Sequence, residues 1–356
     1  MIISATAVAH ANIALAKYWG KRDEVLALPA TSSLSLTLDA FRTTTTVTLG
    51  EIAPGGPDVA TLDGEPMTGD ALDRVRRFLD LVRDLAGSDL SASVVSTATV
   101  PTGAGLASSA SGFAALAGAA AAAYGLDLDP RALSRLARRG SGSAARSVFG
   151  GLVVWHAGTD DATSFAEPVP GGEAGGALDP AMAVVVLDSA RKSVSSRVAM
   201  RRTVETSPFF GGWVSSTEQD VHLMLDAVAA GDLAALGELA ESNALRMHAT
   251  MLGARPPVRY WTGHTMAVLD EVQTLRAGGL PCWATMDAGP NVKVLCAGSD
   301  LDVVATALSR GVGGADARRV VTARPGPDLR VVAGTSAVPV DSGITVASAT
   351  TGGVVA

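Results

Sequence analysis

The chain contains 356 residues, of which 47% are hydrophobic and 18% are charged, a composition typical of a globular protein in water. This length is sufficient for two domains that share a large core. The 28 basic and 35 acidic residues give a net charge of −7, which argues against nucleic acid as a partner. Any phosphate site must therefore depend on a local concentration of positive charge.

The cysteines and histidines suggest neither a metal centre nor a disulfide framework. Cys282 and Cys296 each lie in an apolar run without metal-ligand spacing, so we expect buried thiols in a reducing cytoplasm. The five histidines are scattered along the chain. The N-terminus lacks a signal-peptide pattern, and the most apolar stretch, residues 113–126, is too short to span a bilayer. We therefore expect a cytoplasmic protein without membrane contact.

In the first half, residues 1–22 combine polar and aromatic side chains around Gly20. Alternating and β-branched residues then predict strands, and Gly/Pro-rich turns suggest a meander. Apolar residues at helical spacing predict an amphipathic helix, and Asp129-Pro130 marks the start of another. The predicted elements are strands at 32–38, 41–49, 92–97 and 152–156, helices at 71–86, after 112 and at 131–139, and a Gly/Ser/Arg-rich loop at 140–151.

In the second half, a Gly/Pro/acidic stretch at residues 158–180 is the best candidate for a domain boundary. The stretch from residue 335 onwards is small and polar, so we expect a loosely held tail. The elements predicted between them are a strand at 181–189, a loop entering a helix at 190–200, three helices between 217 and 277, two strands joined by a turn at 287–291, a helix at 300–310 and a strand near 320.

The segment PTGAGLASSASG, residues 101–112, indicates a strand, a tight loop and then a helix. Gly103 and Gly105 allow a ligand to approach the backbone. Ser108, Ser109 and Ser111 lie in the first helical turn, whose free N–H groups favour phosphate. On these residues alone, a Ser-capped helix after a glycine turn is the simpler interpretation. A Walker loop requires a Lys after its last glycine, and the dinucleotide fingerprint requires a third glycine where Ser108 stands.

Positive charge gathers at loop positions beside Ser and Gly. Arg offers a planar fork for carboxylate or phosphate, and Lys supplies a point charge. Each group taken alone is most simply a solvated surface charge, but all three share the same surroundings. The three groups are Lys17, Lys21 and Arg22; Arg146; and Arg191, Lys192 and Arg197. Asp287, between two apolar runs, is either an Asx-turn residue or a group that orients or deprotonates a hydroxyl.

Taken together, these segments resemble a known family. PTGAGLASSASG is similar to the phosphate loop of the GHMP small-molecule kinase superfamily. HANIALAKYWGKRD, GSGSAARS, RKSVSSRVAM and MDAGPN resemble the diphosphomevalonate decarboxylases within it, and KYWGKR with GSGSAARS is the most specific pair. The resemblance runs from about residue 5 to about residue 325. It implies an ATP- and Mg²⁺-dependent conversion of mevalonate 5-diphosphate to isopentenyl diphosphate, CO₂, ADP and phosphate, a step of isoprenoid biosynthesis.

The resemblance also implies an α+β fold of two domains with the active site in the cleft between them. Residues 1–180 would form the GHMP kinase domain with the phosphate loop, and residues 181–334 a ferredoxin-like α/β plait. Residues 335–356 would form a flexible tail. Family members are commonly homodimers, so we expect a homodimer whose other partner is the small-molecule substrate, with no nucleic acid and no membrane.

Individual roles follow from the same resemblance. Asp287 would face the tertiary 3-hydroxyl of the substrate, Arg146 would hold its carboxylate with help from Asn12, and Lys192 would line the same pocket as a further catalytic residue. The residues implied in substrate binding are Lys17, Tyr18, Trp19, Lys21, Ser141, Ser143, Ser196, Arg197 and Met200. Those implied in ATP binding are Ser96, Pro101, Gly103, Ala104, Gly105, Leu106, Ala107, Ser108 and Ser109, and Ser109 would also contact the metal.

Phosphorylation of the 3-oxygen would turn a poor leaving group into a good one. Arg146 would then align the carboxylate with the breaking C–O bond, which is orientation rather than acid–base chemistry. One position departs from the family pattern, because Thr31 stands where Asn is usual. Since Thr keeps a hydrogen-bonding side chain, we expect only an adjusted turn.

Four other functions stay open. They are a decarboxylase of mevalonate 5-monophosphate, a kinase that stops at the 3-phosphate, a non-catalytic nucleotide-binding relative, and a dehydrogenase. The resemblance implies that the substrate diphosphate is bound by Tyr18, Lys21, Ser141, Ser143 and Arg197, and the presence of all five favours the diphosphate over the monophosphate. Asp287, Arg146 and Lys192 together argue against a kinase that stops at the 3-phosphate. Retention of Asp287 and Arg146 argues against a non-catalytic relative, and the missing third glycine argues against a dehydrogenase.

Overall fold

The computed structural model describes residues 2–53, 55–99, 108–173, 175–187, 194–310 and 318–332. Its strands are β1 (Ile3–Ala16), β2 (Lys21–Asp23), β3 (Leu28–Pro29), β4 (Ser33–Leu49), β5 (Val59–Leu62), β6 (Glu65–Pro66), β7 (Ala92–Ala98), β8 (Leu152–Trp155), β9 (Ala166–Pro168), β10 (Pro180–Val186), β11 (Cys282–Met286), β12 (Val292–Ala297), β13 (Arg319–Ala323) and β14 (Arg330–Val332). Its helices are α1 (Gly69–Ala86), α2 (Ser108–Ala123), α3 (Pro130–Gly140), α4 (Ser196–Thr206), α5 (Phe210–Ala229), α6 (Leu233–Leu252), α7 (Gly263–Ala277) and α8 (Leu301–Arg310). A 3-10 helix, Gly142–Val148, follows α3.

A large sheet carries most of the N-terminal half. Within the described residues its order is β14-β1-β4-β7-β5-β6, with β8 paired to β4 and β9 paired to β8. Helix α2 packs on β1 and β4, and its buried side chains are mostly alanines. Small side chains let the helix approach the sheet closely, so the start of α2 is held next to the long strands.

A smaller sheet carries the C-terminal half. It has the order β11-β12-β10-β13, and all of its pairs are antiparallel. Cys282 and Cys296 face each other in the β11–β12 register, and both are free and buried. This confirms the expectation of buried thiols, and burial raises the pKa of Cys282 to about 11 and that of Cys296 to about 12.

The end of the chain returns to the large sheet. Strand β14 pairs with β1, and Gly326 and Leu329 donate backbone hydrogen bonds to Thr37 (2.8 Å) and Val148 (3.0 Å). The Leu329 side chain packs directly on Gly118 of α2. The last described segment therefore closes over strands and helices from the opposite end of the sequence.

Most predicted elements are present. Helix α1 follows the predicted amphipathic pattern, and Asp129 caps α3 by accepting a hydrogen bond from the Ala132 N–H (2.7 Å). The three helices predicted between 217 and 277 are α5, α6 and α7, although α5 begins earlier, at Phe210. The two strands joined at 287–291 are β11 and β12. The mixed α+β class is thereby confirmed, and the tail from residue 335 lies outside the described residues.

Three local predictions were wrong. The strands predicted at 32–38 and 41–49 are one strand, β4, because a bulge opposite residues 10–12 lets a single long strand bend without ending. The predicted meander is not formed, since β7 lies between β4 and β5 and runs parallel to β5. The predicted loop at 140–151 contains the 3-10 helix, whose alanines are buried in the core.

Candidate active site

Asp287 begins the turn between β11 and β12, and two lysines bind its carboxylate. Lys17 Nζ lies 2.9 Å from Oδ1, and Lys293 Nζ lies 3.0 Å from Oδ2. Lys17 directly follows β1 and also donates to the Ala14 carbonyl (2.8 Å), whereas Lys293 lies within β12. Both lysines are almost completely buried. The Asp287 carboxylate therefore links a lysine next to the large sheet with a lysine of the small sheet.

Burial and charge act in opposite directions on this group. Burial raises the pKa of Asp287, but the ammonium groups of Lys17 and Lys293 outweigh it and hold the pKa far below its ordinary value. Burial lowers the pKa of Lys17 to about 8, with smaller contributions from Lys293 and Arg146, although Asp287 acts in the other direction. Asp287 is consequently ionised at neutral pH, while Lys17 titrates slightly above it.

Arg146 lies in the 3-10 helix and is buried among neutral oxygens. Its Nη1 donates to Ser33 Oγ (2.6 Å), its Nε to Ser35 Oγ (2.9 Å), and its Nη2 to Asn12 Oδ1 (3.1 Å). Asn12 in turn donates to the Ser143 carbonyl at 3.0 Å. Burial lowers the pKa of Arg146 to about 10. A guanidinium in such surroundings is oriented by the protein and has N–H groups left for an anion.

Tyr18, Ser141 and Ser109 lie on neighbouring elements. The Tyr18 hydroxyl is buried without a hydrogen-bond partner among the described residues, and a Cβ added to Gly142 would lie 2.6 Å from it. Burial raises the pKa of this phenol, so it stays protonated and can donate. Ser141 Oγ lies 3.3 Å from Ser109 Oγ in the first turn of α2. A continuous polar surface therefore connects the 3-10 helix to the start of α2.

Two further predicted substrate residues, Trp19 and Lys21, also make contacts within the protein. Trp19 is 1% exposed in an apolar cluster with Trp213, whose indole donates to the Trp19 carbonyl at 3.1 Å. Lys21 Nζ lies 2.6 Å from Glu24 Oε2 in the β2–β3 hairpin. The indole Nε1 of Trp19 is buried without a hydrogen-bond partner among the described residues.

Helix α4 carries three of the predicted substrate residues in its first two turns. Arg197 is exposed, while Ser196 and Met200 are half-buried. The charge of Arg197 acts on the pKa of Tyr18 and of Arg74, so the three side chains share one electrostatic neighbourhood. The buried Nε of Arg74 has no hydrogen-bond partner among the described residues.

The predicted nucleotide residues are described only in part. Ser96 is half-buried on β7, with its Oγ 2.9 Å from Thr45 Oγ1, and Ser109 is exposed. The predicted residues that lie outside the described part of the chain are Pro101, Gly103, Ala104, Gly105, Leu106, Ala107 and Lys192, together with the side chain of Ser108.

Sequence reasoning missed four residues of this site. The sequence does contain a signal for Lys293, because this residue is a lone cation in an apolar strand. Ser33 and Ser35 alternate on one face of β4, which a period-two count would have paired with a buried charge. Arg74 has no distinguishing signal, because α1 carries several arginines.

Two structural absences hold for the described ranges. No group of three or more His, Cys, Asp or Glu side chains there could hold a metal ion. None of the helices in the same ranges is both long and apolar enough to cross a bilayer. Thr31, where the family usually has Asn, is buried, and its hydroxyl has no partner among these residues.

The structure has two sheets with Asp287, Lys17 and Arg146 grouped between them, and its match to solved structures identifies the GHMP kinase fold. A diphosphomevalonate decarboxylase-like N-terminal domain model matches residues 9–166, and a mevalonate 5-diphosphate decarboxylase C-terminal domain model matches residues 182–333. The chain therefore belongs to the diphosphomevalonate decarboxylase family.

Individual relatives agree with this assignment. The chain is 37% identical to diphosphomevalonate decarboxylase mvd1 of Aspergillus fumigatus over 88% of this chain and 81% of that protein. A solved mevalonate diphosphate decarboxylase from Enterococcus faecalis is 46% identical, with a TM-score of 0.85, covering 93% of this chain and 99% of the other. A structure described as MDDEF in complex with MVAPP, AMPPCP and magnesium is 47% identical, with a TM-score of 0.86 and the same coverage.

Proposed function

We propose that this protein catalyses the ATP-dependent decarboxylation of mevalonate 5-diphosphate to isopentenyl diphosphate. The observation that carries the proposal is the presence, in one site, of an ionised Asp287 and a buried Arg146 whose hydrogen bonds to described residues go to neutral oxygens. The Asp287 carboxylate accepts a hydrogen bond from the substrate hydroxyl, and the Arg146 guanidinium binds the substrate carboxylate. The similar proteins named above are decarboxylases of mevalonate diphosphate, which supports the same substrate here.

Asp287 orients the 3-hydroxyl toward the γ-phosphate of the ATP substrate. Each carboxylate oxygen has a second lone pair beyond its contact with Lys17 or Lys293, so the carboxylate can still accept the substrate O–H. A general base works best when its pKa lies near the operating pH, and the pKa of Asp287 lies far below. Alignment and electrostatic stabilisation are therefore its main contributions.

Arg146 holds the substrate carboxylate. A fork of fixed N–H groups binds a carboxylate in one plane, and Ser33, Ser35 and Asn12 fix that fork in turn. Once the 3-phosphate has left, the carboxylate must lie in line with the broken C–O bond to depart as CO₂. Arg146 supplies this orientation.

The diphosphate of the substrate binds near Tyr18, Ser141, Ser143 and Arg197. The buried hydroxyl of Tyr18, which has no hydrogen-bond partner among the described residues, supports this role, because a buried donor without a partner is costly unless a ligand satisfies it. Lys21, Ser196 and Met200 belong to the same proposal through the family pattern. Trp19 belongs to it as well, and Lys17 also contributes through its ion pair with Asp287.

ATP binds at the start of α2, where free N–H groups and the Ser109 hydroxyl are available. Mg²⁺ suits this site, since it commonly binds through phosphate oxygens, water and one or two protein oxygens rather than a dedicated protein cage. It offsets phosphate charge when bound. Lys192 and residues 101–107 are proposed to complete the site.

We further propose the organisation predicted from sequence. Residues 1–180 and 181–334 form the two domains, and the protein acts as a cytoplasmic homodimer. The return of β14 to the large sheet means that the second domain ends within the sheet of the first.

The test is a parallel assay of ADP and CO₂ with ATP and either mevalonate 5-diphosphate or mevalonate 5-monophosphate. We expect equal amounts of ADP and CO₂ from the diphosphate alone. ADP without CO₂ would identify a 3-kinase, a preference for the monophosphate would overturn the diphosphate assignment, and no turnover would identify a non-catalytic relative.

A further inference from the structure

The chain uses 24 arginines and only four lysines, namely Lys17, Lys21, Lys192 and Lys293. The first three belong to the predicted site, and the fourth does not. On a solvated surface either cation is adequate, whereas a lysine offers a compact point charge that a guanidinium cannot replace in a confined space. This distribution suggests that position 293 requires a lysine rather than an arginine.

Packing does not explain a lysine at this position. Lys293 is 1% exposed in the middle of the small sheet, opposite Val184 of β10 and Thr285 of β11. Burying an ammonium costs several kcal/mol unless it is paired, and an apolar side chain of similar volume is often as stable or more so. Among the described residues its ion-pair partner is Asp287, at 3.0 Å from Oδ2.

We propose that Lys293 is a positioning residue that fixes the second carboxylate oxygen of Asp287 while Lys17 fixes the first. With both oxygens held, the carboxylate has one orientation toward the substrate hydroxyl. This role rests on the proposed function, since it concerns the alignment of that hydroxyl for phosphoryl transfer.

The charged groups around Asp287 come from several elements. Lys17 follows β1, Arg146 lies in the 3-10 helix, and His248 of α6 faces the backbone of Met286 and Asp287. Burial lowers the pKa of His248 to about 3, so it is neutral at the pH of interest. Tyr18 is kept protonated by burial. The groups whose titration Lys293 influences are therefore Asp287 and Lys17.

Both of these groups lose a neighbouring positive charge when Lys293 is removed. The pKa of Asp287 and the pKa of Lys17 must then rise, because the Lys293 ammonium lowers each of them. If the ammonium of Lys17 is required, the alkaline limb of the kcat/KM profile moves to higher pH. A purely structural role for Lys293 would lower activity at every pH without moving that limb.

The experiment compares K293M and K293R with the wild-type enzyme in the ADP and CO₂ assay between pH 5 and about 10. We expect K293M to lower kcat by about tenfold or more, with a smaller change in KM, and to move the alkaline limb upward on the order of one pH unit. K293R keeps the charge, so its limb stays in place even where its larger head lowers kcat. Should K293M fail to fold, K293Q carries the same test.

Val294→Ala is the matched control, because Val294 is the next buried residue on β12 and carries no charge. It should lower stability without moving the limb. A K293M profile that coincides with the wild-type limb would overturn the role of Lys293 while leaving the function intact. A wild-type enzyme that releases no CO₂ would overturn the function and this role together.

Discussion

At the scale of single residues, the site depends on buried charges and on the hydrogen-bond partners that surround them. Arg146 is 2% exposed, and its hydrogen bonds to described residues go to neutral oxygens from β1 and β4. A lysine there would make at most a few of these contacts with a single nitrogen. Orientation of the bound carboxylate therefore depends on the shape of the guanidinium as well as on its charge.

Replacing Arg146 by Lys or Ala should lower kcat by about a hundredfold, because a misplaced carboxylate departs slowly even when it is bound. KM for ATP should change little, since the proposed ATP site lies at the start of α2. Steady-state kinetics, with thermal melting to verify folding, provide the measurement. Turnover at the wild-type rate in R146A would rule out the proposed role.

The burial of His248 predicts that the free energy of unfolding depends on pH. Burial lowers its pKa from 6.5 to about 3, so between these values the unfolded chain binds a proton that the folded chain does not. The free energy of unfolding must then fall as the pH falls from 6.5 toward 3, by up to about 1.4 kcal/mol per pH unit for one proton. Urea denaturation of wild-type and H248Q proteins across this range measures the slope, which should be shallower in H248Q.

His222 offers the control, because it is exposed on α5. H222Q should keep the wild-type slope. An H248Q slope equal to that of the wild type would show that His248 titrates similarly in the folded and unfolded chains.

At the scale of elements, the 3-10 helix connects the two proposed ligand regions. Gly142 borders the Tyr18 hydroxyl, Ser141 just before the helix lies 3.3 Å from Ser109 (Oγ to Oγ), and Arg146 follows within the helix. Asn12 fixes the helix by donating to the Ser143 carbonyl and to Ser147 Oγ (2.7 Å). A displacement of this one short element would change both the diphosphate and the carboxylate sites.

Gly142→Ala should therefore raise KM for the substrate by about tenfold or more, since the new Cβ would lie 2.6 Å from the Tyr18 hydroxyl and displace it from a charged ligand. The KM for ATP should change less. Gly211→Ala on α5 is the matched control, because its Cβ meets no atom within 4 Å. Equal substrate KM values in the two variants would argue against a role for the Tyr18 hydroxyl.

At the scale of the whole molecule, distant parts of the sequence complete each layer. Lys17 and Asp287 are 270 positions apart, and β14 joins the sheet that β1 begins. The end of the described chain also contacts β4 and the 3-10 helix. The two halves are therefore expected to unfold together.

Leu329→Ala tests this coupling. Leu329 is half-buried against Gly118 of α2, so its truncation should lower the free energy of unfolding by about 1–2 kcal/mol in a single transition. Val331→Ala, at a 44% exposed position two residues later, should cost less. Chemical denaturation followed by tryptophan fluorescence distinguishes the two. Separate transitions for the two halves would contradict the coupling.

Sequence was sufficient where the information is local. Helical spacing predicts α1, the Asp129 cap predicts the start of α3, and the paired apolar runs around MDAGPN predict β11 and β12. It failed for β1, where ten consecutive residues are buried and no period-two alternation is visible. The sequence also predicted two strands in place of β4, because a bulge and a strand end have similar sequences.

The sequence by itself determined the family pattern, the Gly- and Ser-rich segment that resembles a phosphate loop, and the identity of Asp287 and Arg146 as candidates. Only the tertiary structure decided that Lys293 binds Asp287, that Ser33 and Ser35 hold Arg146, and that β14 closes the large sheet. The physical reason is the separation along the chain between the residues that interact. Caps and periodicity act over a few residues, whereas the cost of burying a charge is settled by whichever partners the fold brings within about 3 Å.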